Sequence, residues 1–236
     1  MKSETLQFNT ANGASTAYVA QPGEDGGSTV GNGKAVILIH EWWGLNDHIR
    51  DIANRYAAEG FTAIAPDLYR GKVTTDKEEA GRLMQNLDVE DGLNTIQMAM
   101  DKARDDYGFE KFGITGFCMG GTFALRAACE LEGIGAAAPF YGDIPDEFTL
   151  KDLKCPVIFV SGTKDQWINP EKVGEMERIA EENFLPVKSL KYDADHAFFN
   201  DTRPEVYDEA AAKDVWSKVT AFFNENLEII TLPSEN

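Results

Sequence analysis

Two kinds of apolar stretch alternate along this chain, and their spacing predicts its secondary structure. Runs typical of strands, apolar throughout or at every second position, occupy residues 5–8, 14–20, 35–40, 61–65, 111–115, 135–141, 156–160 and 187–192. Segments with apolar residues at helical spacing occupy residues 46–59, 77–87, 90–107, 122–131, 170–183 and 204–227. From residue 35 onwards the chain is therefore expected to pass from strand to helix and back.

This alternation predicts an α/β fold in which helices flank a mostly parallel central sheet. The run at 35–40, AVILIH, is apolar at consecutive positions, as in a strand buried on both faces of a parallel sheet. The first two runs are joined by residues 9–13, whose Asn12-Gly13 pair favours a tight turn. An N-terminal β-hairpin is therefore expected to precede the parallel part of the sheet.

One domain is expected to account for the whole chain, residues 1–236. A chain of this length, with 43% hydrophobic residues, is long enough to bury one large core. Outside the regular elements we expect tails at 1–4 and 228–236 and surface loops at 23–33 and 142–154.

The segment 113–121, GITGFCMGG, lies between a predicted strand and a predicted helix. Gly116 and Gly120 stand two residues before and two after Cys118, which is the nucleophile-elbow pattern of a tight strand-to-helix turn. Because a helix N-terminus favours an anion, we expect it to lower the pKa of the Cys118 thiol. Two other interpretations stay open at this point: a lone cysteine is most often a small buried apolar residue, and glycine-rich turns also bind dinucleotides. The turn lacks G-x-G-x-x-G and does not follow the first strand, which counts against a dinucleotide site.

Polar residues follow several predicted strands, where the active sites of parallel sheets lie. Cys118, Asp165 and His196 occur in the chain order nucleophile, acid, histidine that α/β-hydrolase triads use. In this interpretation Cys118 attacks a carbonyl carbon, His196 transfers the proton, and Asp165 orients the imidazole ring. The backbone N–H groups of Trp42 and Met119 are the expected oxyanion donors.

Each of these residues also has a structural alternative. His196 can be a buried structural histidine, and Asp165 can be a turn residue or a cap before the helix at 170–183. The pair His40-Glu41 begins a zinc motif, but H-E-x-x-H requires histidine where this chain has Gly44. No metal and no cofactor are therefore expected.

Charge and composition narrow the possible partners and the compartment. With 22 basic and 40 acidic residues the net charge is −18, which disfavours nucleic acids and anionic membrane surfaces. No apolar run approaches the roughly 18 residues of a membrane span, and the first ten residues lack the apolar core of a signal peptide. The three cysteines form no disulfide framework. We expect a cytoplasmic monomer whose partner is a small-molecule substrate.

With these motifs in view, the sequence resembles the dienelactone hydrolase (carboxymethylenebutenolidase) family of α/β-hydrolases over residues 5–226. The segments that carry the resemblance are HEWWG at 40–44, APDLY at 65–69, GFCMGG at 116–121, GTKD at 162–165 and DHAF at 195–198. The resemblance implies a triad of Cys118, Asp165 and His196. It also implies that Glu41 deprotonates the thiol when substrate arrives, so that the resting thiol is neutral.

The positions that hold the substrate carboxylate in well-known family members differ here. Where those members have an arginine and a tyrosine in the helix after the 65–69 segment, this chain has Lys77 and Gly81. Where they have an arginine four residues after the histidine, this chain has Asn200, with Arg203 nearby. The residues expected to contact the substrate are Lys77, Trp43, Tyr141, Phe198 and Arg203.

The sequence thus predicts a cysteine-dependent hydrolase of esters or lactones that works through an acyl-thioester on Cys118. A small, anionic, unsaturated lactone is the favoured substrate class. Two alternatives remain: a general carboxylesterase or thioesterase of other acyl substrates, and a non-catalytic ligand-binding homologue. A dehydrogenase is a distant third.

Overall fold

The structure is a computed structural model and describes residues 1–23 and 33–227 of the chain. Its strands are β1 (Lys2–Thr10), β2 (Gly13–Gln21), β3 (Ala35–Ile39), β4 (Thr62–Pro66), β5 (Phe112–Phe117), β6 (Ile134–Phe140), β7 (Val157–Gly162) and β8 (Val187–Tyr192). Its helices are α1 (Asp47–Ala58), α2 (Lys77–Asn86), α3 (Val89–Tyr107), α4 (Met119–Glu130), α5 (Glu147–Leu150), α6 (Pro170–Glu182) and α7 (Glu209–Asn226).

The eight strands form one sheet in the order β1-β2-β4-β3-β5-β6-β7-β8. Strands β1 and β2 form the antiparallel hairpin, with Thr10 opposite Gly13, and β2 runs antiparallel to β4. The remaining pairs are parallel. The expected α/β fold with a mostly parallel sheet and an N-terminal hairpin is confirmed.

Helices cover both faces of the sheet, and this explains the continuous apolar strands. Every residue of β3 and β4 is buried. Helices α3, α4 and α6 contribute to the core on one face, whereas α1 and α7 contribute to the core on the other. A strand covered on both sides gains stability from apolar side chains in both directions, so its sequence shows no alternation.

Several predicted boundaries were wrong. Helix α7 begins at Glu209 rather than at residue 204, because the side chain of Asp208 accepts a hydrogen bond from the N–H of Ala211 and caps the helix there. The predicted loop at 142–154 contains the short helix α5. Strand β1 begins at Lys2, inside the expected tail 1–4.

Two further expectations concern segments that the structure covers only at their edges or not at all. Most of the expected loop at 23–33, and all of the expected tail at 228–236, lie outside the described residues. Among the helices of the described ranges, none combines the length and the apolar character that crossing a bilayer requires.

The parallel register brings the residues of interest to one edge of the sheet. Ile39 pairs with Gly116, Phe117 with Phe140, and Gly162 with Tyr192, so these strands end side by side. The segments that follow β3, β5, β7 and β8 therefore start from the same edge of the sheet, which is where open α/β sheets place their sites.

Candidate active site

Cys118 occupies the turn between β5 and α4. Its backbone has φ 55° and ψ −117°, a strained conformation for a residue other than glycine. Helix α4 begins at Met119, directly after Cys118, rather than at residue 122 as the sequence suggested. A Cβ atom on Gly120 would collide with the backbone oxygen of Ile39, so the elbow is pressed against the end of β3.

The thiol of Cys118 is protonated in this environment. Burial raises its pKa to about 12, and the charge of Glu41 adds to the effect, while the N–H of Met119 opposes it. The expectation of a lowered pKa was wrong, because desolvation of the thiolate and a nearby carboxylate outweigh the helix N-terminus. A neutral resting thiol is the state that the resemblance to the family implied.

Asp165 and His196 form a close pair at the same edge of the sheet. Nδ1 of His196 lies 2.6 Å from Oδ2 of Asp165. The other carboxylate oxygen, Oδ1, accepts hydrogen bonds from the N–H groups of Trp167 and Ile168, at 2.8 and 3.0 Å. Burial alone would raise the pKa of Asp165, but the bonds from His196 and these two N–H groups lower it below its usual value.

The second ring nitrogen of His196 is unpaired within the part of the chain that the structure describes. Nε2 is buried and has no hydrogen-bond partner among the described residues. The ring lies 5.0 Å from the ring of Tyr141 and 4.9 Å from that of Trp167. Because Nδ1 is held by Asp165, Nε2 is the atom left to accept a proton.

Glu41 is a buried carboxylate close to the thiol. Nδ2 of Asn200 donates a hydrogen bond to Oε2 of Glu41 at 2.9 Å. Burial raises the pKa of Glu41 to about 7, although the charge of Arg203 and the bond from Asn200 both lower it. Glu41 therefore changes its protonation state near neutral pH.

Both ring nitrogens of His40 contact the backbone. Its Nδ1 lies 2.6 Å from the carbonyl oxygen of Glu41, and its Nε2 accepts the N–H of Leu68 at 3.1 Å. Burial lowers the pKa of His40, so the ring is neutral, with its proton on Nδ1. Within residues 1–23 and 33–227, no group of three or more His, Cys, Asp or Glu side chains is arranged to hold a metal.

The loop that carries Trp42 is held in place by contacts with the segment at residues 72–74. The N–H of Thr74 donates to the carbonyl of Trp43 at 3.0 Å, and Gly44, at φ 90°, packs against the carbonyl of Lys72. The N–H of Trp42 has no acceptor among the described residues. A free N–H on a fixed loop is the property that an oxyanion donor needs.

Lys77, Arg203 and Trp43, three of the expected substrate contacts, are partly or fully open to solvent. Lys77 is exposed at the start of α2 and is near enough to lower the pKa of Glu205. Nε of Arg203 donates to Glu205 at 2.8 Å. Trp43 is half-buried, with its ring 4.9 Å from that of Trp42.

The other two expected contacts, Tyr141 and Phe198, are buried. The ring of Phe198 packs between those of Tyr141 and Tyr192, at 5.7 and 5.4 Å. Phe198 therefore supports Tyr141 by packing against its ring. Burial raises the pKa of the Tyr141 phenol, and charges on Glu41 and Cys118 add to the effect, so Tyr141 lies near both of these groups.

The sequence did not predict the contacts that two residues make near the site. Trp167 is 61% exposed, and its ring packs edge-on against His196. Asn200 was noted only as a departure from the family, yet its amide binds Glu41. The sequence feature that could have identified Trp167 is its position two residues after Asp165. No signal in the sequence identifies the partner of Asn200, because 159 positions separate it from Glu41.

Comparison with known proteins identifies the family. Residues 16–227 match the family model described as the dienelactone hydrolase family. "Protein usf" of Aquifex pyrophilus is 37% identical, over 83% of this chain and 89% of that protein. A protein of Aquifex aeolicus, provisionally named carboxymethylenebutenolidase, is 34% identical, over 83% of this chain and 90% of its own.

Solved structures agree with this assignment. A crystal structure from Klebsiella pneumoniae, provisionally named dienelactone hydrolase, is 27% identical with a TM-score of 0.84, covering 95% of this chain and all of that one. The Pyrococcus furiosus esterase Pf2001, 15% identical with a TM-score of 0.72 over 96% of this chain and 93% of its own, shares the fold. This chain is therefore a hydrolase with the α/β-hydrolase fold and belongs to the dienelactone hydrolase family.

Proposed function

We propose that this protein hydrolyses ester or lactone bonds with Cys118 as nucleophile, through an acyl-thioester intermediate. The observation that carries the proposal is the 2.6 Å pair of His196 and Asp165, which leaves the buried Nε2 without a partner. Charges on Glu41 and Asp165 both raise the pKa of Cys118, so the thiol lies within electrostatic reach of both carboxylates. The family supports hydrolysis, and these residues supply a route for it.

The first half of the proposed reaction forms the thioester. Glu41 takes the proton of the Cys118 thiol, and the sulfur attacks the carbonyl carbon of the substrate. The N–H groups of Trp42 and Met119 bind the oxygen that becomes negative. The bond to the leaving oxygen then breaks, the proton taken from the thiol ends on that oxygen, and the acyl group stays on sulfur.

The second half releases the acid. Nε2 of His196 takes a proton from water, and the hydroxide attacks the thioester carbon. The carbon–sulfur bond breaks, and the imidazolium returns its proton to the departing thiolate. Asp165 stabilises the imidazolium through Nδ1 while it exists. One water is consumed, and all groups of the enzyme return to their starting state.

A small anionic unsaturated lactone is the substrate class that we propose first. The cationic side chains of Arg203 and Lys77 support it, because Arg203 acts electrostatically on Glu41 and both residues act on Glu205. A general carboxylesterase or thioesterase is the second candidate. Two observations favour this second candidate. The space at Gly81 is open, and Arg203 is paired with Glu205, so neither position forms a clamp for a substrate carboxylate.

The test is turnover by the wild type and by Cys118→Ala on a panel of unsaturated lactones, aryl esters and thioesters. We expect Cys118→Ala to lose activity on every substrate, and mass spectrometry of quenched His196→Ala to show the acyl group on Cys118. Cys129→Ala is the matched control, because that thiol is buried in α4 and has no proposed role. Full activity in Cys118→Ala would overturn the proposal, and a wild type that binds these compounds without turnover would favour the ligand-binding alternative.

A further inference from the structure

The side-chain amide of Asn200 has a fixed orientation. The residue is buried, and its Oδ1 accepts hydrogen bonds from the N–H and the hydroxyl of Thr202, at 3.0 and 2.6 Å. Because Oδ1 is used by these two donors, the NH₂ group must face the other way. It faces Glu41 and donates to Oε2 at 2.9 Å.

The loop around Asn200 is also anchored from outside the site. The neighbouring Asp201 accepts a hydrogen bond from Arg55 of α1 at 2.5 Å, and Nδ1 of His48 lies 3.4 Å from its carboxylate. Asn200 follows His196 by four residues, so one anchored loop carries both the proposed base and the partner of Glu41. The loop that carries the amide is therefore also held by contacts other than the one with Glu41.

The direct contact to the Glu41 carboxylate is neutral. Oε1 has no hydrogen-bond partner among the described residues, and Oε2 has Asn200. The charged or titratable groups around it are Arg203 on the same loop, Cys118 at the elbow, Tyr141 after β6 and the His40 ring, which bonds the backbone of Glu41. Of these, only Arg203 stabilises the anion, and it does so through its charge rather than through a hydrogen bond.

We propose that Asn200 is a positioning residue for Glu41. Its neutral hydrogen bond holds one carboxylate oxygen of Glu41 and leaves the other available to take the proton of Cys118. This inference rests on the proposed function. A charged partner in direct contact would keep Glu41 ionised but bound, whereas loss of the donor would leave only the charge of Arg203 to oppose burial and would favour protonated Glu41. A single neutral donor gives the intermediate case, in which one carboxylate oxygen is held and the other is left for the thiol.

The proposal predicts a shift in pH dependence. Asn200→Leu keeps the branching of the side chain but removes the donor, so Glu41 should become harder to ionise. We expect the acid limb of kcat/KM for p-nitrophenyl acetate, and of the rate of thiol alkylation by iodoacetamide, to move upward by about one pH unit. Thr202→Val, at an exposed position, removes the hydroxyl donor to Oδ1 but keeps the backbone N–H donor, so the amide is held less firmly and the shift should be smaller and in the same direction. Thr202→Ser keeps both bonds and is the matched control.

The shift must act through Glu41. In a Glu41→Gln background, Asn200→Leu should leave the pH profile unchanged, and this separates positioning from general damage to the fold. An acid limb that stays within about 0.2 pH units in folded Asn200→Leu would overturn the inference. If Asn200→Leu does not fold, the same criterion applies to Thr202→Val against Thr202→Ser. Failure of the proposed function would appear separately, as activity retained in Cys118→Ala.

Discussion

Two buried carboxylates, Asp165 and Glu41, both act electrostatically on Cys118 but accept different sets of hydrogen bonds. Asp165 accepts hydrogen bonds from His196 and from two backbone N–H groups, and its pKa is lowered. Glu41 accepts one neutral bond, from Asn200, and burial raises its pKa to about 7. Burial disfavours the anion at both positions, and the donors around Asp165 outweigh that effect, whereas those around Glu41 do not.

This difference suits two different tasks. A carboxylate that is ionised throughout the working pH range can fix an imidazole ring and stabilise its charged form. A carboxylate with a pKa near the working pH can take up a proton and release it. We infer that Asp165 orients and Glu41 exchanges protons, and the following predictions test this division.

The largest expected effect comes from neutralising Asp165, the carboxylate whose pKa is lowered. Asp165→Asn should lower kcat by about 10³- to 10⁴-fold, because the amide favours the wrong tautomer of His196 and cannot stabilise the imidazolium. Steady-state kinetics measures this effect. Asp193→Asn, which changes a highly exposed acid nearby, should stay within about twofold of the wild type and serves as the control. A loss below about tenfold in Asp165→Asn would contradict the assigned role.

Neutralising Glu41, the carboxylate proposed to exchange protons, should have a smaller effect. Glu41→Gln should lower kcat/KM by about 10²-fold, because the thiol loses its proton acceptor. In the wild type, activity should fall about tenfold per pH unit below the Glu41 pKa of about 7, and this limb should disappear in the variant. The pH dependence of iodoacetamide alkylation with a bound substrate analogue provides the measurement. An unchanged alkylation rate would exclude Glu41 as the activator.

The same substitution should stabilise the fold at high pH. Burial raises the Glu41 pKa from 4.5 to about 7, so between these values the native state holds a proton that the unfolded chain has released. Stability therefore falls as the pH rises through this window, by at most about 3 kcal/mol. Glu41→Gln should be more stable than the wild type by about 1–3 kcal/mol at pH 8 and nearly equal to it at pH 4.5.

Urea unfolding at these two pH values tests this prediction, with Asp165→Asn as the contrasting variant. Because the Asp165 pKa is lowered, its contribution to stability is present above the unfolded pKa and is lost as the pH falls through the folded value. Asp165→Asn should thus destabilise the protein at pH 8. A loss of stability in both variants at pH 8 would remove the distinction between the two carboxylates.

The sequence predicted the fold and the strand ends that the candidate residues follow, but not the electrostatics around those residues. Consecutive apolar positions were enough to predict β3 and β4 as buried parallel strands, and the residues after the strand ends followed from the fold. The direction of the Cys118 pKa shift was wrong, because a local pattern shows the helix N-terminus and not the desolvation that outweighs it. The Asn200–Glu41 bond was missed for a similar reason, since it depends on how two distant loops meet.

The contact between Gly120 and the end of β3 limits how this enzyme can be altered. The elbow has no room for even one methyl group against the carbonyl of Ile39, while the Cys118 side chain is partly open to solvent. If Cys118 is the nucleophile, as proposed above, an engineer can exchange the attacking atom, sulfur for oxygen for example, but not the path of the main chain around it. Redesign of this catalyst for new chemistry has to begin at the side chain of Cys118.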